Sequence, residues 1–77
     1  MQIEDLLEMV KTELPESKDL ITADTNFRQL EEWDSLTGMS IVVLLEENYN
    51  VSIDEKAFKS FDTFSDIFNF IKDQKGR

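Results

Sequence analysis

The chain has 77 residues, with 17 acidic against 8 basic side chains, a formal net charge of −9, and neither cysteine nor histidine. A chain of this length makes one domain, residues 1–77, with a modest core, so a deep two-lobed enzyme cleft is not expected. The missing residues exclude disulfides and thiolate metal sites and remove the commonest general base, while the negative charge disfavours nucleic acid and anionic membranes as partners.

The first predicted element is an amphipathic helix that begins near Ile3 and ends before Pro15. Apolar residues recur at helical spacing, and acids occupy the first turns, where the helix dipole favours them. Proline ends the helix because it pushes the preceding residue out of the α region. The acidic start does not resemble a secretory signal, and no segment approaches transmembrane length, so a cytoplasmic protein without membrane insertion is expected.

Residues 15–34 show no sustained periodicity and form a long predicted loop. A structureless loop of this length is unusual in a compact domain unless its own side chains pack it down. The segment carries large apolar residues at irregular intervals, namely Leu20, Ile21, Phe27, Leu30 and Trp33. We expect these side chains to hold the loop across the core.

Three further helices are predicted after the loop. The second begins at residues 34–35, either of which can cap a helix, and runs to about Tyr49. A short third helix spans roughly residues 55–61, and a fourth follows Asp62 or Thr63 as its cap. The predicted fold class is all-α: a small four-helix bundle with three main helices, a short third helix and a long loop between helices 1 and 2.

The second helix is apolar on two faces. At about 100° per residue, one stripe suits the core and is formed by Val42, Leu45 and Tyr49. The second stripe and its bordering acids lie nearly opposite and comprise Leu36, Met39, Val43, Glu46 and Glu47. Two interpretations remain open. The second stripe is a docking face for a basic and apolar partner, or it packs beneath the long loop with only Met39 exposed.

Ser35 stands at the N-terminus of this helix. A serine in that position is most often only a cap. The free backbone N–H groups and the positive end of the helix dipole also favour a phosphate, so a phosphodiester on the Ser35 hydroxyl would be stabilised there. Position alone therefore allows both a structural and a functional role.

The residues around Ser35 resemble the acyl carrier protein family. Asp34, Ser35 and Leu36 match the family's attachment motif within "WDSLTGMSIVVLLEENYNVSI", and "DTNFRQL" looks like the loop that precedes it. Downstream residues fall where the family has its short third helix and its last helix: Phe61, Thr63, Phe64, Phe68 and Ile71. The resemblance covers essentially the whole chain.

The resemblance implies that Ser35 receives 4′-phosphopantetheine from coenzyme A through a magnesium-requiring phosphopantetheinyl transferase. Asp34 would assist recognition of the carrier by the transferase, and it is also plausible simply as a cap. The thiol of the arm would hold acyl or aminoacyl groups as thioesters. The chain would then be a carrier and not an enzyme, a monomer without a metal site of its own. Basic surfaces of the transferase, ligases and synthases would contact Leu36, Met39, Val43, Glu46, Glu47, Phe58 and Phe61.

The chain departs from the family pattern in two places. Fatty-acid carriers usually have acids early in the second helix, where this chain has Thr37 and Ser40 with Gly38 between them. Phenylalanines are expected to fill the space where some carriers shelter a long acyl chain: Phe58, Phe61, Phe64, Phe68 and Phe70. We therefore expect a stand-alone carrier for fatty-acid, polyketide or other specialised biosynthesis, with a short, polar or aminoacyl cargo. The alternative is an unmodified acidic helical adaptor that binds a partner through the second helix.

Overall fold

The computed structural model describes residues 2–75, which form a helical structure. Its α-helices are α1 (Ile3–Glu13), α2 (Ser35–Tyr49), α3 (Glu55–Lys59) and α4 (Phe64–Lys75). Within residues 2–75 no β-strand occurs, and the one isolated bridge joins Asn26 to Thr63. The all-α prediction and the order of the helices are confirmed. The third helix ends at Lys59 and not at the predicted Phe61.

The core is built from one apolar face of each long helix and from residues of the connecting segments. α1 contacts both α2 and α4. The buried apolar residues are Leu6, Val10, Leu14, Ile21, Phe27, Ile41, Leu45, Ile53, Phe61, Phe64, Ile67 and Ile71. Full burial of one such side chain contributes about 1.5–3 kcal/mol relative to leaving it in water. This core fixes α2, whose N-terminus carries Ser35.

The start of α4 is fixed by a reciprocal pair of hydrogen bonds. The backbone N–H of Asp66 donates to the Thr63 hydroxyl at 3.2 Å, and Asp66 Oδ2 accepts from the backbone N–H of Thr63 at 3.0 Å. This is a capping box, in which two of the N–H groups left over at a helix start find side-chain partners. Thr63 is therefore the cap of the fourth helix, as one of the two predicted candidates.

The long connection between α1 and α2 is more ordered than its sequence pattern indicates. It contains two short 3₁₀ helices, Pro15–Leu20 and Phe27–Gln29. Of the five large apolar residues expected to hold it across the core, Ile21 and Phe27 are buried, and Leu30 and Trp33 pack against the core. The prediction was wrong for Leu20, which is 64% exposed. Its neighbour Ile21 has extended backbone angles and takes the inward position, so Leu20 points to water.

Arg28 fastens this connection to the segment around α3. Its Nε donates to the carbonyl of Phe61 at 2.9 Å, and its Nη2 donates to the carbonyl of Phe58 at 2.8 Å. The guanidinium also lies over the rings of Phe27 and Phe58, at 5.1 and 5.6 Å from their centroids. The guanidinium is planar and carries several N–H donors, so it can bond both carbonyls while it lies over the two rings.

The C-terminal end of α2 is held by the last turn of α4. Lys75 Nζ donates to the carbonyl of Tyr49 at 2.7 Å, and Gln74 Nε2 donates to the carbonyl of Ser52 at 2.8 Å. α2 has no basic residue in its own last turn, so Lys75 supplies the cation that the negative end of the helix dipole favours. In the part of the chain that the structure describes, no helix combines the length and apolar character needed to cross a membrane.

Candidate functional site

Asp34, and not Ser35, caps α2. The Asp34 backbone is extended, and its Oδ1 accepts a hydrogen bond from the backbone N–H of Thr37 at 2.7 Å. Donation from the Thr37 backbone, and then from the Thr37 side chain, lowers the pKa of Asp34 below its usual 3.8. Ser35 is the first residue of the helix and is exposed to solvent. The capping role that the sequence allowed for either residue therefore falls to Asp34.

The surroundings of Ser35 do not equip it as a nucleophile of its own. A serine hydroxyl is a weak nucleophile unless a neighbouring base activates it, and the chain has no histidine or cysteine to form such a pair. Within residues 2–75 no group of three or more His, Cys, Asp or Glu side chains is arranged to hold a metal ion. What the position offers is an accessible hydroxyl at the start of a helix.

The second apolar stripe of α2 is exposed to solvent. Leu36, Met39 and Val43 are 74%, 66% and 50% exposed. The interpretation in which Leu36 and Val43 pack beneath the long loop is therefore wrong. Large apolar side chains in a row on one helix, all facing water, are typical of a surface that contacts another protein.

The two predicted glutamates on α2 have different environments. Glu47 is exposed. Glu46 is half-buried, and its Oε2 accepts a hydrogen bond from the backbone N–H of Ile53 at 2.9 Å. Glu46 therefore stabilises the turn that follows α2. The carboxylate of Glu47, four residues after Val43 on the helix, is exposed to solvent.

The two aromatic residues predicted for the docking surface, Phe58 and Phe61, also have different environments. Phe58 on α3 is half-buried and faces α2, but Phe61 is only 6% exposed and belongs to the core. Because α3 ends at Lys59, Phe61 lies in the connection to α4 and turns inward, where its ring packs against Phe70 at a centroid distance of 5.2 Å. The prediction that Phe61 belongs to the docking surface is therefore wrong, and Phe61 is a core residue.

An apolar cleft separates α2 from α3 and reaches Ser35. Its volume is about 440 Å³, toward the small end of the range for small-molecule sites. The apolar walls comprise Trp33, Met39, Val42, Val43, Ile53 and Phe58. Charged residues also line it, namely Arg28, Asp54, Glu55 and Lys59. The Lys59–Glu55 ion pair, at 3.3 Å, lies on this side of the molecule.

Gly38 explains how the aromatic wall of this cleft approaches α2. A Cβ at position 38 would lie 3.1 Å from Trp33 Cζ2 and 3.6 Å from Phe58 Cε2. Glycine inside a helix costs about 1 kcal/mol relative to alanine, so the close approach of the indole is the compensating contact. Gly38 is one of the residues at which the sequence departs from the family pattern, but its contact with Trp33 was not predicted. The available signal was a glycine inside an otherwise apolar helix, five residues after a tryptophan.

Comparison with known proteins adds independent findings. The family model described as a phosphopantetheine attachment site matches residues 4–71. Over 68 residues the chain is 35% identical to an acyl carrier protein of Borreliella burgdorferi, covering 88% of this chain and 85% of the relative. An acyl carrier protein of Treponema denticola is 32% identical, with 88% and 87% covered. One from Rickettsia canadensis is 29% identical over 70 residues, with 91% and 81% covered.

Proposed function

This chain belongs to the acyl carrier protein family, and we propose that it carries its cargo on an arm attached to the hydroxyl of Ser35. The prosthetic group of the family is 4′-phosphopantetheine, and its members are carriers and not enzymes. The observation that supports Ser35 is its place inside the matched region as an exposed helix-start residue that the cap does not use.

The residues around Ser35 fit a phosphate-linked arm. The hydroxyl is accessible, and the N-terminal end of a 15-residue helix favours the negative charge of a phosphodiester. The apolar cleft begins at Ser35, so a tether has a surface along which to lie. When bound, the arm supplies the thiol that holds acyl or aminoacyl groups as thioesters, a group that this cysteine-free chain lacks.

The exposed stripe of α2 is the proposed contact surface for partner enzymes. It combines three exposed apolar side chains, Leu36, Met39 and Val43, with the exposed carboxylate of Glu47. Such a surface suits apolar patches bordered by arginine and lysine on a phosphopantetheinyl transferase, a loading ligase or a synthase. Asp34 lies next to the attachment residue and is a second proposed contact for the transferase, in addition to its capping role. Half-buried Phe58 borders the same surface.

The proposed cargo is short, polar or aminoacyl, and the proposed pathway is a specialised one served by a stand-alone, monomeric, cytoplasmic carrier. Aromatic rings support this proposal because they occupy much of the space between the helices. Phe61 and Phe64 are buried, and Phe58, Phe68 and Phe70 pack against the same core. Space filled by these side chains is not available to a long acyl chain.

Mass spectrometry tests the attachment residue directly. After incubation with coenzyme A, magnesium and a phosphopantetheinyl transferase, the wild-type chain should gain the mass of one phosphopantetheine. Ser35→Ala should abolish the gain while the helical circular dichroism stays unchanged, because Asp34 and not Ser35 caps the helix. Ser40→Ala is the matched control, since it removes another exposed serine hydroxyl from the same helix and should load normally.

Two results would contradict the proposal. Loading of Ser35→Ala would place the arm on another residue. Failure of the wild-type chain to gain mass with several transferases would instead favour the adaptor alternative, in which α2 binds a partner without modification.

A further inference from the structure

We propose that Trp33, seated on Gly38, is a specificity-determining residue that keeps the cargo in the outer cleft and out of the helical bundle. This inference rests on the proposed attachment at Ser35. It concerns Trp33 and Gly38, which lie between the cleft and the core. It adds a physical limit on cargo length to the proposed function.

The first step is the row of rings behind the cleft. Trp33 and Phe58 both line the cleft, with ring centroids 6.1 Å apart and ring planes at 17°. Both rings pack on fully buried Phe27, at 4.6 and 5.7 Å between centroids. Phe27 in turn packs on Phe64 at 5.3 Å. A chain that entered the bundle from the cleft in this direction would have to displace one ring after another.

The second step is the dependence of the indole on Gly38. Gly38 is buried, and a Cβ there would lie 3.1 Å from Trp33 Cζ2. This distance is shorter than an ordinary van der Waals contact, so a Cβ at position 38 would require the indole to shift by a few tenths of an ångström. Trp33 reaches its position because the helix presents bare backbone to it. The wall of the cleft therefore depends on the pairing of these two residues.

The third step is the fastening of the opposite part of the wall. The Phe58 carbonyl accepts from Arg28 Nη2 at 2.8 Å, and the guanidinium lies over the Phe58 ring. On the other side, the backbone N–H of Trp33 donates to the carbonyl of Leu30 at 3.1 Å. The backbone carbonyl of Phe58 and the backbone N–H of Trp33 are thus both held by hydrogen bonds of the long connection, which fixes the chain on either side of the aromatic wall.

The occupant of the cleft follows from its position and size. Ser35 is one of its lining residues, so a tether on that hydroxyl enters it without crossing the core. The cleft of about 440 Å³ is open to solvent on one side and has apolar walls that include Met39 and Val42. A short acyl end finds apolar surface against the indole of Trp33. A longer chain runs out of cleft and extends into water.

The test uses the full-length carrier with its arm loaded with two-, four- or eight-carbon acyl groups through a hydrolysis-resistant amide. Proton–nitrogen NMR spectra then locate the cargo. Each cargo should shift the indole N–H of Trp33 and the amide of Met39, and should leave the amides of buried Phe64 and Ile67 unchanged. In Trp33→Ala the eight-carbon cargo, but not the two-carbon cargo, should shift Phe64 and Ile67. Trp33→Phe keeps a ring in the wall and should behave as the wild type.

Gly38→Ala provides a second route to the same question, because it keeps the indole but forces it to move. The unloaded variant should show a shifted indole N–H, because the ring moves by a few tenths of an ångström, and the eight-carbon cargo should shift the amide of Phe64 by less than it does in Trp33→Ala. This variant decides the matter if Trp33→Ala gives the spectrum of an unfolded chain.

The outcomes separate the two proposals. Intact mass shows first whether the arm is attached, and its absence contradicts the proposed function and this inference with it. A loaded wild-type carrier whose eight-carbon cargo shifts Phe64 and Ile67 contradicts the inference alone. Folded Trp33→Ala and Gly38→Ala variants that keep the wild-type pattern with every cargo overturn it as well.

Discussion

Ionised carboxylates hold the starts of α2 and α4. Asp34 Oδ1 accepts from the backbone N–H of Thr37, and Asp66 Oδ2 accepts from the backbone N–H groups of Asp62 and Thr63 at 2.9 and 3.0 Å. Donation to the charged form lowers the pKa of both carboxyl groups below the usual 3.8. The helix start next to Ser35, the proposed attachment residue, is thus most stable when its cap is ionised.

We expect acid to weaken the fold in part through Asp66. Because the folded-state pKa of Asp66 lies below its unfolded value, its contribution is fully present above about pH 5 and is lost as the pH falls through the folded pKa. The urea midpoint of the wild type should therefore decline between about pH 5 and pH 2. The urea midpoint of Asp66→Asn should be lower than that of the wild type at neutral pH and should decline less as the pH falls. Unfolding followed by Trp33 fluorescence measures both.

Asp19→Asn is the control for this comparison, since it removes one negative charge from an exposed residue of the first 3₁₀ helix. It corrects for the change in net charge that Asp66→Asn also makes. A wild-type chain and an Asp66→Asn chain with parallel pH profiles would show that the α4 capping box makes no acid-sensitive contribution.

Among the elements, α3 depends most on contacts from outside itself. It has five residues, none of which is buried. Its N-terminus is capped by Asp54, whose Oδ1 accepts from the backbone N–H of Ala57 at 2.7 Å. Its other end is held by Arg28, which donates to the carbonyls of Phe58 and Phe61. A helix this short is not stable alone, so the long connection supplies part of its stability.

We expect Arg28→Met to loosen α3 and to lower the free energy of unfolding by about 1–3 kcal/mol, because two hydrogen bonds from a charged donor are lost. Amide hydrogen exchange should accelerate at Phe58 and Ser60, whose N–H groups bond within this segment. Arg28→Lys should recover only part of the loss, since an ammonium cannot reproduce the planar fork.

Lys59→Met is the matched control for Arg28→Met because it removes one positive charge from the same region. It breaks only the exposed ion pair with Glu55, so a change below about 1 kcal/mol is expected. Equal exchange rates at Phe58 in the two variants would show that Arg28 acts through charge alone and not as a clamp.

The elements that the sequence predicted well are those whose signals are local. α1 ends before Pro15, α2 begins after Asp34, one of its two predicted caps, and α4 begins after Thr63, also one of two predicted caps. Phe58 and Phe61 have a spacing that suits one helical face, yet the chain leaves the helix between them. The inward turn of Phe61 depends on Phe70 and on a carbonyl contact with Arg28, 33 residues away. Periodicity carries no information about such contacts.

The candidate site divides in the same way. The position of Ser35 at a helix start and the second apolar stripe of α2 follow from residue order and helical geometry, and both were predicted. The cleft was not predicted, because it requires Trp33 from the connection, Gly38 from α2 and Phe58 from α3 to meet. A glycine in an apolar helix indicates close packing, but the sequence does not name the partner.

At the scale of the whole molecule, a net charge of −9 on 77 residues creates a field that attracts basic proteins. Presentation of the proposed attachment residue Ser35 to a partner also needs orientation, which net charge alone does not provide. The exposed apolar stripe of α2 with Glu47 beside it is a local feature that can give this orientation. The general field would then set the encounter rate, and the local surface would select the productive encounters.

A pair of charge-neutralising variants separates these two contributions. Glu47→Gln removes one charge beside the stripe, and Glu8→Gln removes one exposed charge from α1, so both leave the chain with the same net charge. In about 20 mM salt, Glu47→Gln should slow loading by a phosphopantetheinyl transferase about two- to fivefold, the equivalent of a partly exposed ion pair. Glu8→Gln should load at nearly the wild-type rate. Intact mass followed over time measures each rate.

The salt dependence of the loading rates shows whether Glu47 acts through its charge or through packing. At about 300 mM salt, where screening reduces contacts between exposed charges, all rates should fall and the difference between the two variants should shrink. A deficit of Glu47→Gln that persists at high salt would mean that this side chain acts by packing and not by charge. Equal slowing by both variants at low salt would mean that only the overall charge matters. The stripe of Leu36, Met39 and Val43 would then have to orient the carrier by apolar contact alone.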